Sequence, residues 1–174
     1  MVLSLALIAA PAMAETEPVI RITGAGEIVA IRELGNRDPS TIVGADPVRT
    51  VEGVSLLHRT SHIEARLCLR FGMLYQAENL APGERVEVTI RSEHPALQRP
   101  DGRVSTGIAY PNVVQGGHIG YVGFTFDRPW ESVAGAWSFA VLYHGKVLAE
   151  QRFDVSIPGD GGQPLPGECA APVS

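Results

Sequence analysis

A chain of 174 residues with 45% hydrophobic, 19% charged and 6% aromatic residues has the length of one ordinary domain and is too apolar to stay disordered. Its formal charge of −5 lacks the basic footprint that displaces counterions from nucleic acid, so nucleic acid is excluded as a partner class. Charged residues are scattered, and no like-charged run offers an acidic or basic tail.

Residues 1–14, MVLSLALIAAPAMA, contain no charge and end in Ala12-Met13-Ala14, the small-x-small pattern of a signal-peptide cleavage site. Cleavage before Glu15 is expected, leaving a periplasmic or secreted chain. The apolar run is shorter than the ~20 residues of a spanning helix, so no transmembrane segment is expected in the mature chain. No Lys or Arg precedes the run, which leaves two readings open: an atypical peptide, or a true start upstream of Met1.

The segments that follow carry a period of two. Val19–Thr23 and Glu27–Arg32 read as short strands around Gly24 and Gly26, and residues 35–50 show no clear periodicity. From Ile63 to Tyr75 the odd positions Ile63, Ala65, Leu67, Leu69, Phe71, Met73 and Tyr75 are apolar. Glu64, Arg66, Cys68 and Arg70 alternate with them. That is the pattern of one half-buried strand, with Gly72 marking a bulge or bend and Cys68 on the wet face. Val86–Arg91 alternates again after the turn signal Ala81-Pro82-Gly83, and Ser92–Val104 reads as a loop.

Residues 118–126, HIGYVGFTF, form another strand pattern. The clearest hairpin is Trp137–Tyr143, then His144-Gly145-Lys146, then Val147–Ile157, with Gly145 supplying the positive φ of a tight turn. The closing PGDGGQPLPGECAAPVS has eight Gly or Pro in 17 residues and reads as a flexible tail. The expected organisation is a signal peptide (1–14), a single antiparallel β-sandwich (15–157) and a tail (158–174).

Two cysteines permit one internal pairing. In an oxidising compartment Cys68 and Cys169 are expected to bridge, closing a loop of roughly 100 residues that chain-entropy arguments value at ~4–5 kcal/mol.

Two stretches, ARLCLRFGMLY and FDRPWESVAGAWSFAVLYHGKVLAEQRFDV, together with HPALQRPDG between them, resemble the bacterial family known as domain of unknown function 3859. The resemblance runs over about residues 60–157. Phe71, Gly72, His94, Pro95, Pro129, Trp130, Glu131, Gly135, Trp137, Gly145, Lys146 and Phe153 carry it. It implies an exported, immunoglobulin-like β domain without an assigned activity, so no functional role transfers to any residue.

Candidate chemistry is sparse. Trp130 and Trp137 could stack a sugar or peptide, but aromatics at such strand positions more often pack a core or a corner. Glu131 beside Trp130 is then expected to hold a backbone turn. His58 and His62 share a face at i, i+4, yet a metal needs three or four ligands, and His94, His118, Asp127 or Glu131 could join only through the fold. A carboxylate pair of Asp127 and Glu131 is a further candidate. No G-x-S-x-G or H-E-x-x-H motif is present, and Gly24-Ala25-Gly26 lacks the third glycine of a dinucleotide site. No catalytic residue and no cofactor is expected. The sequence favours a non-catalytic domain that binds a protein or cell-envelope component, with a metal-binding protein or hydrolase as the alternative.

Overall fold

The computed structural model describes residues 17–36 and 49–159, and for 31–36 and 49–52 the backbone alone. Among the described residues nine strands are divided between two layers. They are β1 (Ile20–Asn36), β2 (Arg49–Arg59), β3 (His62–Glu64), β4 (Arg70–Ala77), β5 (Arg85–Gln98), β6 (Val104–Gln115), β7 (Ile119–Thr125), β8 (Gly135–Tyr143) and β9 (Lys146–Ser156). One sheet has the order β2-β1-β4-β7 and the other β3-β9-β8-β5-β6, so the expected all-β sandwich is present. The pairings are antiparallel except for β3, which runs parallel to β9 through His62↔Asp154 to Glu64↔Ser156. The expectation of antiparallel strands alone is corrected there.

The segment from Ile63 to Tyr75 is not one strand. β3 belongs to the five-stranded sheet and β4 to the four-stranded one, with Cys68 in a left-handed turn conformation (φ 68°) between them. Ile63, Ala65, Phe71, Met73 and Tyr75 are all buried nonetheless. A chain that crosses between facing layers can keep the same parity inward, because both layers bury their side chains in one interior. Alternation therefore reported burial correctly at those five positions, missed that Leu67 and Leu69 beside the Cys68 turn are only half-buried, and reported continuity wrongly. Gly72 forms no bulge, since β4 and β7 pair without a break from Arg70↔Thr125 to Gln76↔Ile119. What Gly72 provides is close approach: a Cβ there would lie 2.2 Å from Val122 O and 3.0 Å from the Tyr121 ring.

Two further expectations are corrected. The two short strands around Gly24 and Gly26 form the single strand β1. The stretch 92–104, read as a loop, lies mostly in strand, with β5 running to Gln98 and a turn held by Arg99 N→Arg103 O (2.8 Å) and Gly102 N→Arg99 O (3.0 Å). A register irregularity between Glu93 and Leu97 accommodates His94-Pro95, which hid this strand from its alternation. Of residues 35–50, those at 37–48 lie outside the described residues, as do the signal segment and the tail from residue 160, Cys169 included.

The interior is centred on Phe71, which is fully buried. Its ring centroid lies 5.3 Å from Phe153, 5.4 Å from Phe126, and 5.6 Å from both Trp137 and Phe139. These distances suit edge-to-face and offset stacking, each worth about 0.5–1.5 kcal/mol beyond area burial. The β8–β9 hairpin closes through His144 (φ 47°) and Gly145 (φ 81°). Two successive positive φ values match the primed turn that follows strand twist, and glycine meets the second at no steric cost.

Candidate functional site

β6 and β7 are consecutive in the chain, joined by residues 116–118, yet they lie in different sheets as the edge strands on one side of the sandwich. Joined at one end, they diverge toward the other. The gap holds a cavity of about 270 Å³. Ser92, Ile108 and Tyr110 line it from the five-stranded sheet, and Tyr121, Phe124 and Thr125 from β7. Its far end is closed by Arg99, Asp127, Arg128, Trp130 and Glu131.

The 3-10 turn Pro129–Glu131 builds this end. Pro129 is preset for the first position of such a turn. The Glu131 carboxylate accepts hydrogen bonds from Asp127 N (2.6 Å) and Arg128 N (2.8 Å), so it holds the backbone that leaves β7. Trp130 is half-buried and carries the Arg99 guanidinium over its ring at 5.2 Å, within cation–π range. Arg70 donates from Nε to Thr125 Oγ1 at 3.0 Å, which anchors it at the cavity wall. Burial pushes the Tyr121 phenol well above its ordinary pKa, and the nearby Arg70 charge opposes that only in part. Tyr121 is therefore a neutral hydroxyl at physiological pH.

The remaining family-like residues lie around this end. His94 stacks on Trp137 (centroids 4.8 Å apart) with Nδ1 2.8 Å from Pro95 O, and the Trp137 indole N–H donates to Val133 O at 3.3 Å. Pro95 packs on Gly135, where an added Cβ would come within 2.8 Å of Pro95 Cγ. The HP and GxW motifs, some 40 residues apart in sequence, are thus one contact. Phe71 and Phe153 join it through the core and Gly72 packs against Val122 and Tyr121 of β7, whereas Gly145 lies in the β8–β9 turn and Lys146 opens β9, where it pairs with Glu17 at 2.5 Å.

The metal candidates separate into two groups. His94, Asp127 and Glu131 line the same cavity. His58 is on β2, with Nδ1 2.9 Å from Glu27, His62 faces Asp154 at 3.6 Å, and His118 lies exposed in the β6–β7 connection. Among the described residues no group of three or more His, Cys, Asp or Glu side chains is placed to hold a metal ion. No free cysteine occurs among them, and the pairing of Cys68 with Cys169 falls outside the described residues. No described helix is long and apolar enough to cross a membrane.

Sequence reading missed Arg70, Arg99, Tyr110 and Tyr121 as cavity residues. Each looked like an ordinary member of a strand or turn, and only the divergence of β6 from β7 brings them together. The one available signal was β7 itself, IGYVGFT, which has no charged residue and no proline.

A two-layer β-sandwich of this kind is the architecture of an immunoglobulin-like domain. An immunoglobulin-like protein from Pseudomonas aeruginosa has a similar structure, with 25% sequence identity and a TM-score of 0.52 over 83% of this chain and 100% of that one. The family described as domain of unknown function (DUF3859) matches residues 36–155, and the chain belongs to it. The match begins earlier than the resemblance read from sequence and takes in β2. No curated protein matches the chain.

Proposed function

We propose that this protein is an exported, non-catalytic domain that binds a protein or envelope partner through the open side between β6 and β7. The observation that carries the reading is how the polar groups of the cavity are used. Glu131 is committed to two backbone N–H groups, His94 to Pro95 O and the Trp137 face, and Arg70 to Thr125. Such groups fix shape and charge, whereas a general acid or base must be able to reach a substrate proton. The signal-like residues 1–14 and a Cys68–Cys169 bridge belong to the same proposal, since a long-range bridge suits an oxidising compartment.

A photoreactive side chain at Ile119, exposed on the β7 edge, tests the reading in a periplasmic extract. It is expected to give partner adducts, and the same probe at Leu57, exposed on β2, is expected to give none. Adducts from neither position, or equally from both, overturn the open side as the binding surface. Intact mass of the same sample, before and after reduction, checks for a chain beginning at Glu15 with one bridge. The metal or hydrolase alternative draws on the meeting of His94, Asp127 and Glu131 at one cavity. Elemental analysis and calorimetric titration with zinc and copper decide it.

A further inference from the structure

Of the two tryptophans that could stack a sugar or peptide, the fold commits one. Trp137 is fully buried in the core, whereas Trp130 is half-buried at the end of the cavity between β6 and β7. Ile108, Tyr110, Tyr121 and Phe124 continue an apolar and aromatic wall from that end. At about 270 Å³ the cavity is slightly smaller than the ~300–1,000 Å³ of sites for drug-sized ligands, so it takes one ring rather than a chain of rings.

Three hydroxyls in this wall are little used by the fold. Ser92 pairs with the core residue Phe139 and so faces inward; it is 8% exposed and makes no side-chain hydrogen bond among the described residues. Ser105 reaches only Gly107 O at 3.4 Å, and the Tyr121 hydroxyl only Phe71 O at 3.5 Å. Both distances are long for a hydrogen bond. Hydroxyls in an apolar setting are costly without good partners, so three at one cavity call for an explanation.

The charged groups are the reverse case. Arg70 donates to Thr125, Arg99 lies over the Trp130 ring, and Glu131 accepts from two backbone N–H groups. These three, with Asp127 and Arg128, carry further interactions within the protein. An ionic ligand would have to displace such partners, which favours an uncharged one. Burial also keeps the Tyr121 phenol neutral.

We infer that this cavity binds an uncharged pyranose ring, as a free sugar or as the end of a glycan. Its C–H faces lie against the aromatic wall and its hydroxyls bond to Ser92, Ser105 and Tyr121. A pyranose carries apolar faces and a rim of hydroxyls that donate and accept, as serine and tyrosine hydroxyls do. An apolar wall with a few placed polar groups is the usual build of a small-ligand site. The inference rests on the proposed binding role and narrows its envelope component to a carbohydrate.

NMR titration of the isotope-labelled chain with glucose, galactose, mannose and N-acetylglucosamine tests it. At least one sugar is expected to give saturable shifts confined to cavity residues such as Ser92, Gly123 and Thr125. Glucuronate adds a charge to the same ring, and cyclohexylmethanol lacks the ring hydroxyls. Both are expected to bind at least ~10-fold more weakly than the best neutral sugar. Ser92→Ala should weaken that sugar ~5-fold yet leave the urea unfolding midpoint unchanged or raised, because the hydroxyl removed has no partner in the fold. Tyr121→Phe should behave alike.

A trisaccharide of the best sugar that binds more tightly assigns a glycan end, and equal affinity assigns a free sugar; either sustains the inference. A lowered midpoint in both variants overturns it, since the hydroxyls would then serve the fold. Tighter binding of glucuronate, or equal binding of cyclohexylmethanol, overturns it as well. So does the absence of saturable shifts with every pyranose, while partner adducts from Ile119 would still sustain the binding role.

Discussion

β7 and β8 are almost alike as sequences: IGYVGFT and GAWSFAVLY are both short, apolar and uncharged. Their surroundings are opposite. β8 lies between β9 and β5 in the middle of its sheet, and its residues from Trp137 to Tyr143 are buried. β7 has β4 on one side and the open cavity on the other, and Ile119 is 61% exposed. The lack of charge in β8 follows from cover on both flanks. In β7 the same composition has cover on one flank only, from β4.

Three measurements would break or sharpen the contrast. The largest effect belongs to the covered region. Trp137→Ala removes a ring packed on Phe71, Phe126 and His94, and is expected to cost about 3–5 kcal/mol in urea unfolding. A loss below about 1 kcal/mol would mean that the aromatic cluster is not the centre of stability.

Next comes the floor of the open side. Glu131→Ala leaves the N–H groups of Asp127 and Arg128 without their carboxylate acceptor and should cost about 1–3 kcal/mol. It should also raise hydrogen exchange at those two amides, and an unchanged exchange rate would show that water replaces the carboxylate freely.

The smallest effect is expected at the exposed turn beside the cavity. The Arg103 side chain and backbone N–H hold the Asp101 carboxyl at about 2, below its ordinary 3.8. Because the folded value is depressed, the stabilisation is present above the ordinary value and is lost as pH falls through about 2. An NMR titration should place Asp101 there, and Asp101→Asn should flatten that part of the acid limb by lowering stability slightly at neutral pH while leaving it unchanged below pH about 2. A normal Asp101 titration would show that the turn is not held by this pair.

Much of this was legible in residues. Ile63, Phe71, Met73 and Tyr75 announced their burial through parity alone, and Gly145 announced its hairpin through the φ value that the turn requires. The break at Cys68 was not legible, because parity is preserved when a chain passes from one layer to the facing one. The strand across Ser92–Gln98 was hidden by His94-Pro95, where the irregular register interrupts the alternation. The cavity was least legible of all: Arg70, Arg99, Tyr110 and Tyr121 come from different strands and a turn, and share no spacing that a linear pattern could detect.

By itself, then, the sequence determined which side chains are dry, where the tight hairpin falls and that two β layers enclose the core, since these depend on neighbours within a few residues along one strand. Only the tertiary structure decided which strands became edges, that β6 and β7 part company after a short connection, and that arginines collect where they do. Those outcomes depend on which layer each strand joins, a choice made by long-range packing around Phe71 and Trp137 rather than by any local run of residues.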